Sequence, residues 1–152
     1  MMERHNIRLE RVNRLNWQAC SALSVTESQK PFVPSNLYSI AEAQFYPDAC
    51  PLVVYNRTDQ MVGFALYGRD TASGHWKIFR LMVDAAFQGQ GYGSQILAAL
   101  VSEIAAKPDA QAIMICYHAA NTTAREIYIR CGFREQSTHE SGVTTAMLKV
   151  SR

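Results

Sequence analysis

The segment that most constrains this chain is Gln88-Gly89-Gln90-Gly91-Tyr92-Gly93-Ser94. It follows an aromatic and aliphatic stretch, residues 75–83. It precedes a stretch in which Ile96, Leu97, Leu100, Val101 and Ile104 recur at close to helical period. Glycines at such a junction let the backbone turn sharply and aim several N–H groups at one point. The first helical turn adds unpaired donors and a positive dipole end. A strand–turn–helix of this kind suits a phosphate or pyrophosphate without any net basic charge. A Walker loop would need Gly-Lys-Ser/Thr at its end, and there is no lysine here. A dinucleotide fingerprint, G-x-G-x-x-G/A, fails in both registers, ending on Ser94 or on Ile96. A third pattern, Q/R-x-x-G-x-G/A, is met by Gln88, Gly91 and Gly93. Taken alone, such a cluster is as often only a tight turn.

The rest of the chain supplies the partners for that unit. Residues 7–12 alternate apolar and polar, as a strand does. Residues 13–23 read as a helix with Leu15, Cys20 and Leu23 for one face. Pro31 and Pro34 make 24–34 a loop. Ser35 or Asn36 caps a second helix to about residue 45, with Leu37, Ile40 and Ala41 on one stripe. Residues 52–55 and 61–67 form a hairpin about a turn at 56–60, and 75–83 a further strand. The helix at 91–106 is followed by a continuous apolar strand, 112–117. Residues 121–131 are a short helix ended by Gly132, and 133–138 with 143–150 a last hairpin. The order β-α-α-β-β-β-α-β-α-β-β implies an α/β (mixed α+β) fold, with a mixed sheet and helices on both faces.

Composition removes several classes. The chain has 152 residues, 48% hydrophobic and 18% charged, which suits one packed domain over residues 1–152 and not a disordered chain. Its 15 basic and 13 acidic residues leave a net charge of +2, so no nucleic-acid partner is expected. No apolar run approaches the roughly 20 residues that cross a bilayer. The polar N-terminus shows no signal-peptide core, and a cytoplasmic location is the expectation. Cys20, Cys50, Cys116 and Cys131 form no C-x-x-C pair and no histidine sits at zinc-finger spacing, so no metal is expected and the thiols read as reduced.

The glycine pattern resembles that of the GNAT family of acyl-CoA-dependent N-acetyltransferases. Downstream, Asn121 to Phe133 is similar to the family's N-x-x-A-x-x-x-Y-x-x-x-G-F helix through Asn121, Ala124, Tyr128, Gly132 and Phe133. The two motifs sit in a matching β-α-β-α order, and the resemblance covers essentially the whole chain. Residues 29–39, with Arg80-Leu81-Met82-Val83-Asp84, further resemble the bacterial spermine/spermidine (diamine) acetyltransferase-like group. The resemblance implies a mostly antiparallel mixed sheet, splayed between the fourth and fifth strands to admit the pantetheine arm of acetyl-CoA. It implies that Met82 and Val83 offer backbone groups, that Gln88, Gly89, Gln90, Gly91, Tyr92, Gly93 and Ser94 hold the pyrophosphate, and that Asn121 and Ala124 flank the pantetheine. Without the family match, Ala124 is core filler and Asn121 a helix cap. Tyr128, seven positions after Asn121 and on the same helix face, is implied as the general acid beside the leaving thiolate. Homodimers are common in the family.

The implied reaction is direct attack of an amine on a thioester. Holding an alkylamine neutral at pH 7 costs roughly 4–5 kcal/mol, so a base, a water chain or desolvation must remove its proton. The family often places a glutamate four residues ahead of the valine before the glycine loop, and here that residue is Phe79. Glu27, Glu42, His75 and His118 are the remaining base candidates. Glu27, Tyr38 and Glu42 are candidates to bind a cationic amine, with Phe32, Tyr67 and Tyr117 as further aromatic walls. Each has an ordinary reading as a solvated charge or a core aromatic. A polyamine or diamine is the leading substrate. A protein N-terminal or lysine acetyltransferase and a non-catalytic acyl-CoA-binding module are the alternatives.

Overall fold

The computed structural model describes residues 6–151. One sheet runs β1 (Ile7–Arg11), β2 (Cys50–Asn56), β3 (Met61–Arg69), β4 (Trp76–Val83), β5 (Ala112–His118), β7 (Val143–Lys149), β6 (Arg134–Thr138). The helices are α1 (Trp17–Ala22), α2 (Asn36–Glu42), α3 (Tyr92–Ala105) and α4 (Thr122–Cys131). Only β4 and β5 pair in parallel, with α3 as their crossover, as a parallel connection requires.

That parallel ladder is short, joining Trp76, Lys77 and Ile78 to Ile113, Met114 and Ile115. Immediately beyond, β4 bulges against β3. Tyr67 faces Ile78 and Leu66 faces Arg80, so Phe79 is the extra residue. A bulge bends its strand, and β4 turns away from β5 where the bulge begins. The sheet therefore splays between its fourth and fifth strands, open toward Val83 and His118.

Strand alternation sends side chains to two cores. Leu52, Val54, Ala65 and Ile78 pack with Ile96, Leu97, Leu100 and Ile104 of α3, and with Tyr128 of α4. Val53, Phe64, Leu66 and Met82 pack with Cys20 and Ala43 on the α1/α2 side. Helices thus cover both faces, which accounts for the continuous apolar runs of the central strands.

Two expectations are corrected. The first helix begins at Trp17 rather than at residue 13, because the Asn13 side chain accepts from the N–H groups of Leu15 and Asn16 and holds a turn there. Leu15 is consequently 84% exposed. On α2 the stripe is rotated. Asn36, Ser39 and Ala43 are buried while Leu37 is 54% exposed. The inward polar groups are satisfied, Asn36 donating to the Cys20 carbonyl at 2.9 Å and Ser39 to that of Ser35 at 3.0 Å. Ser35 caps α2 by accepting from the Tyr38 N–H, and Gly132 ends α4. No helix among the described residues is long and apolar enough to cross a membrane.

Candidate active site

A cavity of about 260 Å³ opens at the mouth of the splay. Its walls are the α1–α2 connection (Val25, Gln29, Val33), the end of β4 (Leu81, Met82, Val83), the glycine loop with the start of α3, and the N-terminal half of α4.

Gly91 caps α3 with φ of 83°, in the left-handed region, and no side chain caps the helix. The leading N–H groups of α3 therefore have no side-chain acceptor at the cap, and they sit on the cavity wall. A Cβ at Gly91 would meet nothing within 4 Å, so glycine is required there by its backbone angle and not by crowding. Gln88 donates to the Val83 carbonyl at 3.0 Å, and its amide exchanges hydrogen bonds with that of Gln29 at 2.7 and 3.2 Å. This reciprocal pair ties the α1–α2 connection to the glycine loop.

The backbone of β4 is divided by alternation. The Asp84 N–H donates to Val62 of β3 at 2.8 Å, so the peptide groups of Asp84 and Met82 face β3. Those of Leu81 and Val83 face the gap. Met82 therefore lines the cavity without presenting its backbone there. Leu81 takes that place, and the Val83 carbonyl is already bonded to Gln88.

On α4, Asn121 is both cap and wall. Its side chain accepts from the Ala124 N–H at 3.5 Å, and both residues line the cavity with Tyr128. The Tyr128 ring lies 5.0 Å from Tyr117 and 6.3 Å from Phe133, and burial pushes its phenol up to about 12. It stays protonated throughout the neutral range, so it can donate a hydrogen bond but does not serve as a base. Behind it Tyr117 donates to Glu135 at 2.7 Å, and Arg125 pairs with the same carboxylate at 2.6 Å.

Several candidates lie elsewhere. Gln90 lines a neighbouring pocket with Asn56 and Gln95 instead of this cavity. Glu27 is exposed and paired with Lys30. Tyr38 is 59% exposed on the outer side of α2. Glu42 is half-buried but bound to Arg80 at 2.8 Å. None of these three lines the cavity. The β4 bulge explains the Glu42 contact, because Phe79 and Arg80 both turn to the α2 side, Phe79 against Tyr46 and Arg80 against Glu42. Tyr67 is a core residue bonded to Glu103. His75 stands before β4, at the closed end of the splay. His118 accepts from the Ala120 N–H through Nδ1 and stacks on Phe32 at 5.2 Å. All four cysteines are free thiols. Cys20 is buried and pushed up to about 12, far from nucleophilic. No cluster of His, Cys, Asp or Glu that could hold a metal occurs among the described residues.

The cavity also uses residues to which the sequence attached no role: Val25, Val33, Leu81, Phe87, Thr123 and Ile127. Strand alternation around Val83 could have found Leu81. The others depend on how distant segments meet.

Comparison with known proteins places this geometry. A Bacillus subtilis protein named spermine/spermidine N(1)-acetyltransferase is 27% identical over 135 residues, 85% of this chain and 88% of the relative. A Haemophilus ducreyi protein named [ribosomal protein bS18]-alanine N-acetyltransferase is 31% identical over 81 residues, 53% of this chain and 54% of that protein. The crystal structure of spermidine N-acetyltransferase from Vibrio cholerae, in complex with CoA and spermine, superposes with a TM-score of 0.76 at 14% identity, covering 95% of this chain and 96% of that one. The family described as acetyltransferase (GNAT) matches residues 12–133, and with the splayed sheet, the glycine loop and the tyrosine helix in place the chain belongs to the GNAT family of N-acetyltransferases.

Proposed function

We propose that the protein transfers acetyl from acetyl-CoA to a primary amine of a small molecule. The observation that carries this reading is a single cavity bounded by the α3 N-terminus, the gap-facing end of β4 and the Tyr128 ring. These residues fit acetyl-CoA. Backbone N–H groups at a helix start suit a pyrophosphate, and an open strand edge suits an amide-bearing arm. When bound, acetyl-CoA supplies a thioester carbonyl open to attack by an amine. Gln88 to Ser94, without Gln90, position the pyrophosphate, Leu81 and Val83 the arm, and Tyr128 donates toward the sulfur. In the transfer the N–C bond forms and the C–S bond breaks. The amine gives up a proton to water, and the thiolate gains one.

For the acceptor, a polyamine or diamine is supported by likeness to the Bacillus and Vibrio proteins. An α-amine, as on a protein N-terminus, is a second reading favoured by one observation. No carboxylate among the described residues lines the cavity, and Glu27 and Glu42 are each already paired. A site without a base favours the amine of lower pKa, about 7.7–8.0 for an α-amine against about 10.4 for an alkylamine.

A thiol-release assay with acetyl-CoA against spermidine, a short diamine and a peptide with a free N-terminus tests both. We expect turnover with at least one. Its kcat/KM should climb toward pH 10 for an alkylamine and level near pH 8 for an α-amine. Tight CoA binding with no turnover on any amine would overturn the proposal. Cytoplasmic location and self-association as a homodimer belong to the same reading.

A further inference from the structure

A second cavity, about 410 Å³, lies between the end of α1 and the start of α2. It meets the first at Val25, Val33 and Met82, which line both. Nearly half of its lining residues are polar: Ser21, Ser24, Lys30, Ser35 and Asn36. Lys30 is the one primary amine among the described lining residues of the two cavities. We propose that Lys30 is a self-modification site, acetylated from acetyl-CoA bound to its own chain. This rests on the acyl-CoA reading of the first cavity.

Lys30 stands in the chain between two wall residues of the donor cavity. Gln29 lines that cavity and is held to Gln88 of the glycine loop, and Val33 lines both cavities. A turn fixes the segment, with the Lys30 N–H donating to the Thr26 carbonyl at 3.2 Å and that of Phe32 to Gln29 at 2.9 Å. Met82, between Leu81 and Val83 on β4, is the other wall common to both spaces. The Lys30 side chain is half-exposed and pairs with the exposed Glu27. A pair so open to solvent is weak and parts readily, and the four-carbon stem of a lysine is free to turn. In the reaction Nζ first gives one proton to water. The Nζ–C bond then forms as the C–S bond breaks, and the second proton lost from Nζ balances the one gained by the thiolate. The products are acetyl-lysine and the CoA thiol. The new amide is neutral, so Glu27 loses its partner.

Mass spectrometry after incubation with acetyl-CoA and no added amine tests this, with peptide mapping over Lys30, Lys77, Lys107 and Lys149. We expect a gain of one acetyl group, with Lys30 modified at least tenfold faster than any other lysine, as proximity to a bound donor requires. The rate per chain should not depend on protein concentration. Excess desulfo-CoA, which resembles the donor but carries no acetyl group, should slow the reaction at least tenfold, whereas chemical acetylation from solution would continue. Lys30→Arg keeps a cation beside Glu27 and should abolish the gain, with folding checked by circular dichroism. If that variant does not fold, the wild-type map decides alone. Lys30 modified no faster than the other lysines overturns the inference, as does a rate that ignores desulfo-CoA or rises with protein concentration. Turnover of an added amine without modification of Lys30 removes only this inference, whereas no binding of acetyl-CoA by calorimetry removes the acyl-CoA reading with it.

Discussion

Tyr128 carries a chemical constraint that its sequence motif does not convey. Buried among Tyr117 and Phe133, its phenol is pushed up to about 12, so it is a poor source of a full proton and a good hydrogen-bond donor. A donor fixed beside a developing thiolate stabilises it through a hydrogen bond while keeping its own proton. Tyr128→Phe should lower kcat at least tenfold while leaving the CoA dissociation constant nearly unchanged, as steady-state kinetics with calorimetry would show. Equal turnover would remove Tyr128 from the chemistry. The tyrosine should add no alkaline limb to the rate profile below about pH 10, since its proton is held more tightly than in a free phenol.

At the scale of elements, the position of β4 depends on Gly63 of β3. A Cβ there would lie 2.5 Å from the Met82 carbonyl oxygen and 3.2 Å from the tip of Ile96. The first of these is backbone and cannot step aside. Gly63→Ala should therefore push β4 out of register with the cavity. We expect a loss of about 1–3 kcal/mol in stability by denaturant titration, together with weaker CoA binding. The motif-bearing elements were legible in the sequence because local rules govern them. The strand–turn–helix at the glycine loop, the α3 stripe, a cap at Ser35 or Asn36 and the Gly132 stop are all present, with Ser35 the cap. What was not legible is contact between distant segments. The Gln29–Gln88 pair spans 59 positions, and nothing local to either glutamine announces it. Glu42 reads as a free carboxylate until the bulge at Phe79 turns Arg80 toward it. Leu37 reads as core until the satisfied Asn36 and Ser39 displace it outward.

The near-neutral molecule exposes most of its large solvent-facing apolar side chains along one stretch of chain. Leu15, Trp17, Leu37, Tyr38 and Phe45 account for five of the seven large hydrophobic side chains exposed among the described residues, and all belong to the α1–α2 region. A second copy of the chain is the occupant we propose for this face. Light scattering on a sizing column should give a dimer, and Phe45→Glu should shift it to monomer without changing the melting temperature by more than a few degrees. A monomeric wild type would end this reading.

The brevity of the β4–β5 ladder reaches further than the opening it creates. Three residue pairs are all that stitch β1–β4 to β5–β7–β6 within the sheet. Such a seam holds few sheet hydrogen bonds, and its amides should exchange with solvent ahead of those in β2 and β3. Whatever occupies the gap touches both halves at once. Its binding energy is therefore expressed as cohesion of the sheet, and ligand concentration should set how strongly the seam amides are protected from exchange.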